Sequence, residues 1–307
     1  MTPPGLRAIV IAGARAVSRY TGVVLALFVV HALVAWGAGL VVMRILADAF
    51  ADKPLFDEGV DGDLVALLEI VRDSSAVIGA IGAVAIGAVM TWIVVSWFLA
   101  GGLLAVLVER PRGRAETARC FGAGGAAHFL VFARLGLVSL LYHVPVLFLL
   151  GLGLGHLEAR LEHALTVREL IAPLLVGLLP AALAHVLVST VIDHARAELV
   201  LRRPVLPGLG AIQAAVRASG FVLRRPLTWC HVLLYWLVFV AVSLGFAWLA
   251  HGHAMLGLSG ALALFVLRQG VVLARLAARV VVVAGQVELA MTRPPPPRPV
   301  APPPAAP

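Results

Sequence analysis

The sequence predicts an all-α polytopic membrane protein with about six transmembrane helices and amphipathic interfacial helices on the cytoplasmic side. Three observations predict it. Of 307 residues, 61% are hydrophobic and 13% charged, against about 25% charged in soluble domains, so lipid is the solvent for most of the surface. Six apolar runs each reach the roughly 20 residues that a helix needs to cross a bilayer core. Between them the arginines gather in alternate segments, as they do on the cytoplasmic side of membrane proteins.

Residues 5–19, GLRAIVIAGARAVSR, pattern as a short amphipathic helix with Arg7, Arg15 and Arg19 on related faces, suited to the headgroup layer. Span 1 follows at about 20–43 and is too long for a signal-peptide core. The segment 44–75 holds eight of the 16 acids and is placed outside. Its run DEGVDGDLVALLE (57–69) is not a calcium loop, because Gly59 and Leu68 stand where oxygen ligands are required. Span 2 lies within 76–108. These 33 uncharged residues make a helix of about 50 Å, longer than a core of about 30 Å. On it Gly79, Ala83 and Gly87 repeat every fourth residue and form a flat face that lets helices approach closely, within the chain or in a dimer.

A basic elbow at 109–128 leads to span 3 (129–155), which carries Arg134, His143 and Pro145. A short external loop precedes span 4 (170–192), with Pro173, Pro180 and His185. The stretch 194–229 then sets six arginines against one acid, Glu198, around a short amphipathic run, and reads as a cytoplasmic loop on anionic headgroups. Spans 5 (227–250) and 6 (259–285, helical in pattern to about Thr292) close a single transmembrane domain, 1–292. The Pro-rich tail 293–307 has polyproline II character. The inside segments hold fifteen arginines and the outside segments five basic residues, which puts both termini in the cytoplasm. PGLRAI (4–9) and PGLGAI (207–212) each open an amphipathic helix that feeds a span. FGAGG (121–125) occupies the equivalent place in the middle elbow, so three such units are expected.

The runs AVRASGFVLRRPL (215–227), with its basic elbow, and FGAGGAAHFLVFARL (121–135) resemble a group of bacterial six-span inner-membrane proteins. That group includes the YciC-like proteins and the membrane domain of glycerophosphodiester phosphodiesterases. The resemblance covers about half of the chain. It implies a bacterial inner-membrane location and a membrane architecture, and no activity: no part of the chain corresponds to the soluble phosphodiesterase domain.

No nucleophile elbow, HExxH or phosphate-binding loop occurs, and no cofactor is expected. The expected role is non-catalytic, through anionic lipid headgroups or membrane partners, with a homodimer among them and no nucleic acid. A transporter for a small or anionic solute is the second reading, from the prolines of spans 3 and 4. A metal- or haem-binding protein is the third: His31 and His143 are the best-matched pair for axial ligation, and His156, His163, His251 and His253 lie together on the outer side. The sharpest candidate site is an arginine stripe. Arg268, Arg275 and Arg279 follow one another at spacings of seven and four along span 6, and Arg134 sits at comparable depth on span 3. Charges inside a span need a partner or water, and a lipid phosphate held by forked hydrogen bonds supplies one. The nearest carboxylates are Asp193 and Glu288.

Overall fold

A computed structural model describes residues 5–50, 75–161, 167–202, 209–253 and 257–292. The eight helices in it are α1 (Leu6–Arg19), α2 (Thr21–Phe50), α3 (Ser75–Glu109), α4 (Arg114–Leu161), α5 (Val167–Leu201), α6 (Gly210–Arg224), α7 (Pro226–His253) and α8 (Gly257–Met291). Among the described residues there is no strand. Six of the helices, all but α1 and α6, are long and apolar enough to cross a membrane. Large apolar side chains stand open on them, Leu40 at 71% and Trp248 at 79%. The protein is an all-α polytopic membrane protein. The acidic segment around 57–69, most of the outer loop at 162–166, Arg203 and the Pro-rich tail lie outside the described residues.

The helices gather into two compact units. One comprises residues up to Ser18, Arg134–Ala241 and the chain from Ala278 onward; the other comprises Arg19–Ala133 and Val242–Ala277. In the second unit α2 packs along α3. Here α3 and the first turns of α4 come into backbone contact through glycines. A Cβ on Gly101 would stand 3.0 Å from the Gly124 carbonyl oxygen, and one on Gly102 would reach the Phe121 carbonyl oxygen at 2.6 Å. That contact corrects one expectation. Residues 114–128 are not a separate elbow but the start of a single 48-residue helix. Of the three short helices expected, α1 and α6 stand alone and the middle one is merged into α4. Gly122, Gly124 and Gly125 are poor helix formers, and the close packing that Gly124 and Gly125 permit against α3 offsets the penalty.

The α3–α4 turn is held from the N-terminal side. Arg110 has φ 56, a left-handed conformation uncommon outside glycine. The Arg19 guanidinium donates to the carbonyl oxygens of Arg110 (3.1 Å) and Pro111 (3.2 Å), and Glu116 accepts the Arg112 N–H at 2.9 Å. Burial pushes the neighbouring Tyr20 phenol up, so it stays protonated and keeps its proton for the Pro111 carbonyl oxygen.

In the first unit α5 packs against α6, and α1 lies on α8. Gly13 faces Val281, and Ile9 and His231 meet at Gly285. Val186, Val232 and Val282 form a small apolar core with Tyr235 and Trp236 against it. Pro145 lies inside α4, and Pro173 and Pro180 inside α5, without interrupting either helix. The expected tight face on span 2 has no neighbour at its glycines, since a Cβ on Gly79 or Gly87 would meet nothing within 4 Å. Another tight helix crossing is between α4 and α5, where a Cβ on Gly177 would come within 2.7 Å of the Gly153 carbonyl oxygen.

Candidate functional site

The last three turns of α5 depart from the apolar pattern of a span. Thr190, Asp193, His194 and Glu198 recur at helical spacing and are all buried, so one face of the helix turns a polar strip into the protein. Thr190 returns its hydroxyl proton to the Val186 carbonyl oxygen at 2.7 Å. The charged members are met by arginines. Asp193, 6% exposed, receives the guanidinium of Arg196 at 3.2 Å on one oxygen and that of Arg279, from α8, on the other. Glu198 pairs with Arg217 of α6 at 3.5 Å. His194 packs its ring on Phe221, 5.2 Å between ring centres, and the Arg225 guanidinium lies over the Phe221 ring at 4.8 Å while donating to Thr292 Oγ1 at 3.3 Å.

The sum is a polar seam that ties α5 to α6 and α8. Two guanidiniums on one carboxylate leave the Asp193 group with one surplus positive charge, and the Glu198–Arg217 pair is neutral. A small cleft between α5, α6 and α8 is lined by His194, Glu198 and Arg202 together with Leu201, Ala218, Phe221 and Ala290.

α6 itself has two apolar faces. Ala211, Ala214, Ala215, Ala218 and Val222 are buried. Leu209, Ile212, Val216 and Leu223 are each at least half exposed, at 51, 50, 61 and 67%, and they recur at spacings of three, four and seven, along one side of the helix. Arg224 is exposed beside them.

The arginine stripe divides. Arg268, Arg275 and Arg279 do lie on one helix, α8. Arg279 is held by Asp193, whereas Arg268 and Arg275 are exposed, as is Arg134 on α4. The histidines also find partners that matched depth did not suggest. His31 meets Trp92 edge-on, 4.7 Å between centres, and the ring beside His143 is that of His185, at 5.6 Å. Among the described residues no three His, Cys, Asp or Glu side chains come together as a metal-binding group. Cys120 and Cys230 are free thiols. The Asp193–Arg279 pair spans 86 residues, a separation that along-chain periodicity does not report. The one signal that pointed to it was the position of Asp193 at the end of an apolar span.

Comparison with family models, curated proteins and solved structures found no match.

Proposed function

We propose that the protein is a non-catalytic integral membrane protein that holds anionic lipid on its arginine-bearing helices. The observation that carries this is the double apolar face of α6. One side is accounted for by α5, and the other, Leu209, Ile212, Val216 and Leu223, is left open beside Arg224. A short helix of that kind lies in the headgroup layer, its leucines among acyl chains and its arginines at the phosphates. On α8 the same chemistry recurs, with exposed Arg268 next to exposed Phe265, Val266 and Leu267. Guanidinium groups fork onto phosphate oxygens where lysine offers only a point charge.

The test is retention of phosphatidylglycerol, against phosphatidylcholine, by native mass spectrometry. Each arginine near an anionic surface contributes about 1 kcal/mol, so Arg224→Ala and Arg268→Ala should each lower phosphatidylglycerol retention about fivefold. Arg196→Ala, whose side chain is engaged with Asp193, should leave it nearly unchanged. Equal retention in all three would end this reading.

The reading also needs α6 on the cytoplasmic side, where anionic lipid is richest. Reporter fusions after Arg114 and Arg202 should show a cytoplasmic signal and a fusion after Asp61 an external one. A cytoplasmic signal at Asp61 would reverse the orientation drawn from the arginine count.

A further inference from the structure

We propose that α1 is a strap over the C-terminal half of α8 that opens and closes, and that it controls the access of water to His231. Three short helical segments pack antiparallel on the C-terminal part of a spanning helix. The start of α4 lies on α3, with Phe121 opposite Gly102 and Gly125 opposite Phe98. α6 lies on α5, with Arg217 opposite Glu198 and Phe221 opposite His194. α1 lies on α8, with Gly13 opposite Val281 and Ile9 opposite Gly285. In the first two cases the short segment follows its spanning helix directly in the chain, which tethers it there. α1 comes from the other end of the sequence and rests on α8 by contact alone.

That contact is also slighter. α1 and α6 are nearly equal in length, 14 and 15 residues. α6 buries seven of its residues, from Gly210 to Val222. It is fastened further by the Glu198–Arg217 ion pair at 3.5 Å. α1 buries two, Ile9 and Gly13, and Arg7 and Arg15 on it are exposed. Docking strength follows the apolar area removed from water, and the segments that bury least are the first to open locally. An amphipathic helix freed from its protein surface finds a second resting place in the headgroup layer, which lowers the cost of opening. The continuous chain into α2 keeps the strap attached.

Beneath the strap lies a polar group. Ile9, 1% exposed, closes over Gly285, and the His231 ring of α7 reaches the same glycine: a Cβ there would stand 2.6 Å from His231 Cε1. His231 is 3% exposed, and its Nδ1 has no hydrogen-bond partner among the described residues. A buried polar atom without a partner raises the free energy of the closed state, and water returns that loss on opening. The strap therefore closes over a side chain that favours its opening. Imidazole is the side chain suited to exchanging protons near neutral pH, so the group that the strap shields from water is one that water can use.

The experiment acylates the purified full chain in detergent with diethyl pyrocarbonate, which attacks imidazoles that solvent reaches, and follows each histidine by peptide mass spectrometry. His194 is the matched comparison: it too is 3% exposed, and it lies under the tethered α6. His231 should react at least several-fold faster than His194. Ile9→Ala, which removes the closing side chain, and Gly13→Leu, which cannot sit against the Val281 carbonyl oxygen 2.5 Å from an added Cβ, should each speed His231 about tenfold. Neither should change His194, whose rate in the same digest reports that the rest of the fold is intact. Gly22→Leu, with nothing within 4 Å of an added Cβ, should leave both rates as they are. A His231 rate no faster than that of His194, no acceleration in the Ile9 and Gly13 variants, or acceleration of both histidines together would each overturn the strap.

Discussion

Asp193→Ala is expected to lower the stability of the purified protein by about 3 kcal/mol, the lower end of the range for removing one partner from a buried ion pair. The lower end applies because Arg196 and Arg279 are each partly exposed, at 24 and 33%, and water relieves some of the repulsion. The loss has two parts: α5 and α8 lose a direct bond, and two guanidiniums are left facing one another with no anion between them. Arg279→Ala should be milder, since Asp193 keeps Arg196. The double variant should lose clearly less than the two single losses combined, because the second substitution removes a charge that the first one stranded. Thermal or denaturant unfolding in detergent measures all three. Additivity within about 0.5 kcal/mol would show that Arg279 does not bind Asp193.

Gly177→Leu is the second large effect, at about 1–3 kcal/mol from overpacking. The helices α4 and α5 touch backbone to backbone at Gly153 and Gly177, and any side chain at either position has to force them apart. In a membrane that contact matters more than it would in water, because lipid competes with apolar side chains on equal terms and close backbone approach supplies much of the association. Gly87→Leu is the control. Its added atoms enter open space, and its melting should match that of the native chain. Equal melting of both leucine variants would show that the α4–α5 crossing is not a tight contact.

How far these features were legible in the sequence depends on the direction in which information runs. Along the chain it was good. The apolar runs marked six spans, and the pattern from Ser259 carried on to within a residue of the observed end of α8 at Met291. The amphipathic run after the basic elbow is α6. The start of α4 was missed because its arginines read as an elbow and FGAGG as part of a separate short helix, when the meaning of Gly124 and Gly125 is contact: they are the places where α3 comes close. Across the bundle the sequence was nearly silent. Depth paired His31 with His143, but depth is one coordinate, and the rotation of each helix decides which ring faces which. The spacing Ser139-x-x-x-His143 and its reverse, His185-x-x-x-Ser189, was a usable signal, because a serine one turn away is what orients an imidazole. For Asp193 the missing term was likewise lateral. Its position at the end of a span was visible, and the arginine that answers it comes 86 residues later.

That separation has a meaning in time. Chains are synthesised from the N-terminus, so α5 is complete before Arg279 exists. Arg196, three residues after Asp193, is made with it. During that interval the carboxylate already has a counter-ion on its own helix, and α5 carries its acid toward the membrane as a local neutral pair. When α8 is complete its guanidinium finds the second carboxylate oxygen unoccupied. Arg196 thus serves the nascent helix, Arg279 joins it in the finished bundle, and the carboxylate, which ends with both, never stands alone.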